Sequence, residues 1–314
     1  MESPLDPFSL ARLVIGGAVL FHAARADLGT RRVADWCWWL FLGAGLVILE
    51  AELIYKGEGL LYLLSPFYIA VFFVTLWFEG ELFGDEVRRR DSAVVAVALN
   101  AGAIAVLWAQ LSQAGDMATA SGFRHLQLLS VPVMMLLAYI LYRTQLLSGG
   151  ADAKAFLSLA VLVPFYLFPT WDLLHTPTVF LLICPFVLAV FFNAAFFGLF
   201  NPLGLIVYNL TRGDAGRLMA FAYRIDIKDA RNKKFVWLSE SIEGEKRVYH
   251  YFRFRYHTRK WKLKQLDLLE KSDEKRVWVQ PQIPFMVQLF IGFLFTSLLG
   301  NAILWGVIRL FAGV

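Results

Sequence analysis

Long apolar runs separated by short polar segments dominate the chain. A helix crosses the hydrocarbon core of a membrane in about 20 residues, so apolar runs of this length predict membrane-spanning helices. Eight runs are long enough, at roughly 7–25, 36–54, 60–78, 92–111, 125–147, 154–172, 177–200 and 284–311. Several of them contain proline, which membrane helices tolerate where neighbouring groups satisfy the freed carbonyl. The pattern predicts a polytopic α-helical membrane protein.

The segment 201–283 follows a different pattern, in which short alternating stretches replace the long apolar runs. The stretch 247–256, RVYHYFRFRY, alternates in the way expected of a strand, and 218–227 and 234–239 are further strand candidates with a turn predicted at 229–233. We therefore predict three parts: a transmembrane helical domain at 1–200, a small, mostly β domain at 201–283, and a final transmembrane helix at 284–314.

Composition excludes an ordinary soluble protein, because 58% of the residues are hydrophobic and only 18% are charged. The N-terminus lacks the basic region of a cleavable signal peptide, so the first apolar run is expected to be a permanent span. Cys37 and Cys184 both lie in apolar runs, and neither they nor the five histidines show metal-ligand spacing. We therefore expect no metal and no cofactor.

Lysine and arginine positions predict the orientation in the membrane. With the N-terminus outside, the short inner loops hold eight basic residues and the outer loops two, and the inner side carries 26 of the 30 in all. The inserted segment contributes strongly, with 18 Lys and Arg against 10 Asp and Glu between residues 211 and 278. The sequence thus predicts a multi-pass plasma-membrane protein whose inserted domain is cytoplasmic.

Two aspartates lie at the cytoplasmic ends of predicted spans. Asp27 follows the first span and Asp152 precedes the sixth, so the parity of the intervening helices places both on one side of the membrane. Considered alone, Asp152 is also a plausible helix N-cap, and Asp27 a solvated loop carboxylate. The residues alone leave both interpretations open.

Three segments carry a resemblance to a known family. The stretch 27–36, DLGTRRVADW, resembles the segment after the first helix of type IV prepilin peptidases, and 149–155, GGADAKA, resembles their Gly-x-Gly-Asp-x-Lys motif. The segment 277–293 is similar to the start of the last helix in the archaeal prepilin and preflagellin (prearchaellin) peptidases, which are GxGD-type membrane aspartic proteases. The chain departs from the pattern at Ala151, which replaces the second glycine, and in having four predicted spans between the aspartates.

The resemblance implies that Asp27 and Asp152 form a catalytic dyad, in which two close carboxyl groups share a proton and activate water. Gly149 and Gly150 would let the backbone approach the substrate closely. Lys154 would either support the dyad electrostatically or anchor its helix at the headgroups. A coupled pair titrates as a unit, so the sequence does not assign the two roles. The start of a predicted helix at Asp152 favours an anion there by about 0.3–1 kcal/mol, which gives a slight preference for Asp152 as the ionised member.

The resemblance also implies the substrate class, which is a pilin-like or archaellin precursor with a short basic leader before an apolar helix. Glu79 and Glu81 lie in an acidic loop predicted to face the cytoplasm, so they could bind such a leader, although an ordinary amphipathic linker between two spans explains them better. The basic inserted domain should rest on anionic lipid headgroups or dock an assembly partner. We expect no nucleic-acid ligand.

Two other functions compete with this interpretation. A proton-coupled secondary transporter could use Asp27, Asp152 and Glu50 along a proton route, but it predicts an internal repeat that the sequence does not show. A presenilin or signal-peptide-peptidase type of protease would cut within a helix, and it would need Tyr-Asp where this chain has Ala26-Asp27. For Arg12 and Glu52, near the outer ends of the first two spans, we expect contact with water.

Overall fold

The computed structural model describes residues 6–78, 89–113, 120–144, 146–147, 149–167, 176–244, 246–251, 258–272 and 274–312. The helices are α1 Pro7–Thr30, α2 Trp36–Tyr55, α3 Leu60–Leu63, α4 Ser65–Phe78, α5 Arg89–Ser112, α6 Ala120–Arg143, α7 Gly150–Leu162, α8 Thr178–Ile183, α9 Phe186–Gly198, α10 Phe200–Thr211, α11 Ile227–Asn232, α12 Arg259–Lys271, α13 Phe285–Leu299 and α14 Ala302–Ala312. The strands are β1 Tyr223–Asp226, β2 Val236–Leu238, β3 Glu240–Glu243, β4 Lys246–Tyr249 and β5 Arg276–Pro281. The chain divides into two compact units, one of Met1–Ala195 with Phe285–Val314 and one of Phe196–Pro284.

The chain is mostly helical, and the eight predicted membrane spans are not all reproduced. Within the described residues, six segments are long and apolar enough to cross a membrane, and a seventh span is possible if α13 and α14 count as one. The six segments are Pro7–Thr30, Trp36–Tyr55, Leu60–Phe78, Val95–Ser112, Gly122–Arg143 and Phe186–Thr211. The first five coincide with the first five predicted spans.

The remaining predicted spans are interrupted, and two of the interruptions fall at proline. The span expected at 154–172 stops when α7 ends at Leu162, and the one expected at 177–200 is broken between α8 and α9. Val163 and Cys184, which precede Pro164 and Pro185, both have non-helical backbone angles, as expected for residues before proline. Residues 168–175 lie outside the described part of the chain.

The last predicted span, 284–311, is bent rather than continuous. Helices α13 and α14 meet at an angle of 76°, and Gly300 between them has a positive φ of 60°. Glycine adopts this left-handed conformation at little steric cost, so it ends α13 sharply. The C-terminal segment is therefore two helices.

In the first unit, a few close helix contacts hold the two aspartate-bearing helices. Helix α1 packs along α13, and α7 packs against both α2 and α6. A Cβ added to Gly45 in α2 would lie 2.8 Å from the carbonyl oxygen of Val161 in α7. Only glycine allows the two backbones to approach so closely, which is a common device between membrane helices.

Arg12 and Glu52 are buried, which corrects the expectation that they reach water. Arg12 is 1% exposed and Glu52 is 3% exposed, and the Arg12 Nη1 atom lies 2.5 Å from Glu52 Oε2. Lys56 adds a contact of 2.6 Å to the other carboxylate oxygen. A buried charge is tolerable when it is paired, so this cluster ties α1 to α2.

The second unit is mixed in structure, which corrects the prediction of a mostly β domain. Its strands form an antiparallel sheet in the order β1-β5-β2 and a separate hairpin of β3 and β4. Helices α11 and α12 bury apolar residues against this sheet, including Leu266 and Leu269. The predicted turn at 229–233 mostly belongs to α11, and residues 252–256 of the predicted strand lie outside the described part.

Candidate active site

Asp27 lies in the last turn of α1, where two groups contact its carboxylate. The backbone N–H of Met286 donates to Oδ2 at 3.3 Å, and Arg31 Nη1 lies 3.9 Å from Oδ1. Met286 is the second residue of α13, so its N–H is one of the donors that a helix leaves without an intrahelical partner. The carboxylate therefore faces the start of α13, which is the positive end of the helix dipole.

Arg31 ends α1 in an unusual backbone conformation that keeps it beside Asp27. It has φ 56° and ψ 28°, and its backbone N–H donates to the carbonyl oxygen of Asp27 at 3.1 Å. A non-glycine residue in this left-handed region costs about 1–2 kcal/mol. Arg31 thus contacts Asp27 through both its backbone and its side chain.

Asp152 is the third residue of α7 and folds back over the residue that caps this helix. A Cβ built on Gly149 would lie 2.3 Å from Asp152 Oδ2. A side chain at position 149 is therefore incompatible with the observed position of the carboxylate. A Cβ at Gly150 would meet no other atom within 4 Å, so the structure gives a specific reason for glycine only at the first of the two positions.

The environment of Asp152 strongly favours its protonated form. Burial, and then the negative charge of Asp27, raise the pKa of Asp152 from 3.8 to about 7. The two carboxyl groups are therefore near enough to interact, and their helices α1 and α7 are in contact. Asp152 lies outside the candidate membrane spans.

This pKa reverses the expectation that Asp152 is the ionised member. A helix N-terminus stabilises an anion by about 0.3–1 kcal/mol, whereas a rise from 3.8 to about 7 corresponds to about 4 kcal/mol. The cost of burying the charge therefore exceeds the benefit from the first turn of α7. Sequence position showed the helix start but not how deeply the carboxyl group is buried.

Lys154 contacts groups other than the two aspartates. Its Nζ atom lies 2.8 Å from Asp35 Oδ1 and 4.5 Å from the centre of the Trp77 ring. Asp35 precedes α2, but its side chain makes no capping hydrogen bond there. The Lys154–Asp35 pair links the start of α7 to the start of α2, so the structure places Lys154 in a helix–helix contact.

Of the predicted substrate-binding residues, Glu79 and Glu81 lie outside the described residues. Over the described part of the chain, no group of three or more His, Cys, Asp or Glu side chains is arranged to hold a metal ion. Arg31 and Met286 were not predicted to contact Asp27, and nothing in the sequence near Asp27 points to Met286, which is more than 250 positions away.

Comparison with known proteins finds similarity to one family of archaeal peptidases. Residues 216–302 match the family model described as archaeal peptidase A24 C-terminus, type II, a segment that contains Met286 but neither aspartate. A preflagellin peptidase of Methanococcus maripaludis (strain C6) is 25% identical over 178 residues, which cover 55% of this chain and 71% of the relative.

Two further relatives are also preflagellin peptidases. The protein of Methanococcus voltae is 28% identical over 170 residues, covering 50% of this chain and 65% of the relative. The protein of Methanocaldococcus jannaschii is 26% identical over 165 residues, covering 50% and 64%. The chain thus spans about two thirds of the length of the relatives that it matches. The chain is therefore similar to archaeal preflagellin peptidases over about half of its length, and part of its C-terminal region matches the archaeal peptidase A24 family model.

Proposed function

We propose that the chain is a membrane aspartic endopeptidase that removes the short basic leader peptide from prepilin- or preflagellin-like precursors. The supporting observation is the raised pKa of Asp152, to which the charge of Asp27 contributes. An interacting pair of carboxyl groups in which one is held protonated is the arrangement that aspartic proteases use. The similarity to preflagellin peptidases supports the substrate class.

The two aspartates have different roles in this proposal. Asp27 is the ionised general base, because the Met286 N–H and the Arg31 guanidinium both favour its negative charge. Asp152 is the protonated general acid, with a pKa of about 7 that lets it hold or release a proton near neutral pH.

In the first step, Asp27 takes a proton from water as the water oxygen forms a bond to the scissile carbonyl carbon. Asp152 gives its proton to the carbonyl oxygen, which yields a neutral tetrahedral diol. In the second step, Asp27 gives its proton to the amide nitrogen and the carbon–nitrogen bond breaks. Asp152 recovers a proton from one diol hydroxyl as the new carboxyl group forms, and both aspartates return to their starting states.

The proposed reaction takes place at the cytoplasmic face. Basic residues concentrate in the loops that share a side with Asp27 and Asp152, and such loops stay in the cytoplasm. A precursor whose apolar helix lies in the bilayer presents the bond before that helix at this depth. The basic leader would then lie on the cytoplasmic side, where Glu79 and Glu81 are proposed to attract it.

The first experiment measures cleavage of a preflagellin substrate by membranes that contain the wild type, Asp27→Asn or Asp152→Asn. Each variant should lose activity by about 10²–10⁴-fold, which is the usual contribution of a general acid or base. Asp35→Asn is the matched control, because Asp35 lies near the same helix ends but pairs with Lys154. The control should cleave at close to the wild-type rate.

Retained cleavage in both Asp27→Asn and Asp152→Asn would refute the dyad. A separate pair of charge reversals, Glu79→Lys and Glu81→Lys, tests leader recognition. We expect a higher KM for substrates with basic leaders and an unchanged KM for a substrate whose leader is neutral. An equal KM for both substrates in these variants would leave the acidic loop as a linker.

A further inference from the structure

A cavity of about 340 Å³ lies in the second unit, between the end of α11, strand β2 and the first turn of α12. Its basic lining residues are Arg231, Lys233, Lys234, Arg259 and Lys262. Trp237 and Trp261 add indole rings, and no Asp or Glu is among the described lining residues. The cavity is thus a concave basic surface with aromatic walls.

Ion pairs within the described residues neutralise only part of the positive charge of this cavity. Arg231 pairs with two acidic side chains of α12, Asp267 and Glu270. The other four basic lining residues have no carboxylate within 4.0 Å in the described part of the chain. These four residues are Lys233, Lys234, Arg259 and Lys262.

Lys262 in α12 contacts the segment that precedes β2. Its Nζ donates to the backbone carbonyl oxygen of Lys233 at 3.1 Å. Burial, and then the positive charge of Arg259, lower the pKa of Lys262. The site therefore holds positive charges close together at some electrostatic cost, and an anion bound among them would relieve it.

The backbone at the base of the cavity is also strained. Phe235, which precedes β2, has a φ of 56°, a region that residues with a Cβ rarely occupy. Its carbonyl oxygen accepts a hydrogen bond from the Gln282 N–H at 2.9 Å, which holds the conformation. Strained residues of this kind concentrate at ligand sites, and both Phe235 and Gln282 line this cavity.

We propose that this cavity binds a phosphate-bearing anion, supplied either by the headgroup of an anionic lipid or by a soluble phosphate compound. Lysine and arginine side chains form strong charge-assisted hydrogen bonds to phosphate oxygens. This binding does not depend on the two aspartates, so it is separate from proteolysis.

The test uses the full chain in a neutral detergent at low salt, with binding measured by isothermal titration calorimetry. One arm titrates inorganic phosphate, and the other titrates a short-chain phosphatidylglycerol, with the corresponding phosphatidylcholine as the zwitterionic reference. Lys262→Gln and Lys234→Gln should each weaken binding by about tenfold, as expected for loss of one charge-assisted hydrogen bond. Lys234 is exposed, so its replacement should leave the fold intact.

Lys246→Gln and Lys275→Gln are the matched controls, because these lysines are exposed in the same unit but do not line the cavity. Binding that falls in the cavity variants and persists in the controls supports the proposal, and the arm with the tighter binding identifies the source of the phosphate. No binding in either arm, or an equal loss in the cavity and control variants, would overturn it.

Discussion

Asp152→Asn should stabilise the protein at neutral and alkaline pH while it lowers the rate of cleavage by about 10²–10⁴-fold. In the native state the pKa of Asp152 is raised from 3.8 to about 7, so between these values the folded protein binds more protons than the unfolded chain. Stability must therefore fall as the pH rises through this window. This loss of folding free energy, which is the cost of ionising Asp152 in the folded protein, is absent below about pH 4 and complete above about pH 7. Asparagine has the same shape but cannot ionise, so the variant lacks this cost.

The magnitude follows from the size of the pKa shift. A difference of about 3 pKa units corresponds to about 4 kcal/mol at full effect, and because Asp152 retains some solvent contact, we expect about 1–3 kcal/mol. For a chain of this size, each kcal/mol changes Tm by roughly 2–4 °C. The variant should therefore melt several degrees above the wild type at about pH 8 and close to it at about pH 4.

The chain contains a convenient probe for this measurement. Cys37 and Cys184 are free and buried, so a thiol-reactive fluorophore should label them as the protein unfolds in detergent. The melting temperatures of wild type, Asp152→Asn and the control Asp35→Asn would be compared across the pH range. A stabilisation by Asp152→Asn that is the same at every pH, or a wild type that melts higher at alkaline pH, would refute this account of Asp152.

Three further predictions concern the surroundings of the two aspartates. Gly149→Ala places a Cβ 2.3 Å from Asp152 Oδ2, so it should misplace the carboxyl group and lower kcat/KM by about 10²-fold. Gly150→Ala adds a Cβ that meets no atom within 4 Å, so it should lower kcat/KM much less. Equal losses of kcat/KM in the two variants would contradict the geometry. Arg31→Gly removes about 0.2–1 kcal/mol of ion pairing to Asp27, so the acidic limb of the pH–rate profile should move to higher pH. Arg31→Lys keeps the charge and should leave the limb near its wild-type position. An unmoved limb in Arg31→Gly would show that Arg31 does not act on Asp27. Gly45→Ala should destabilise the protein by about 1–3 kcal/mol, because α7 backbone atoms lie within 3.0 Å of the added Cβ. Gly43→Ala has open space around its Cβ and should leave Tm unchanged. Similar Tm values for the two variants would argue against the close approach of α2 and α7.

The prediction of helices succeeded where a single local property decides the outcome. The first five spans follow from runs of apolar residues that are long enough to cross a membrane, a criterion that needs no knowledge of neighbours. The prediction of continuous helices at 154–172, 177–200 and 284–311 was wrong, because the helices end next to Pro164, Pro185 and Gly300. Proline and glycine can either be accommodated within a membrane helix or end it. The outcome depends on whether neighbouring groups satisfy the freed carbonyl, which the sequence does not state.

In the inserted segment 201–283, the sequence pattern predicted some strands correctly but missed the helices. Alternation of apolar and polar residues identified strands at β1, β2 and β4, but it gave no warning of α12, whose buried residues Leu266 and Leu269 pack on the sheet. The stretch Ile227–Asn232 was predicted mostly as a turn because it is polar, yet it forms the short helix α11. Its buried residues Ile227 and Ala230 are three positions apart, so a helical turn places both on the core side.

The sequence by itself determined that the chain is mostly helical with several segments apolar and long enough to cross a membrane, and the order of its motifs resembles that of a peptidase family. Both conclusions depend on composition, run length and local spacing, which are properties of the chain alone. Only the tertiary structure decided which groups surround each aspartate. Asp27 accepts a hydrogen bond from Met286 at the start of α13, while partial burial and the charge of Asp27 raise the pKa of Asp152. Desolvation and charge interactions depend on distances between residues far apart in the sequence, and folding sets those distances.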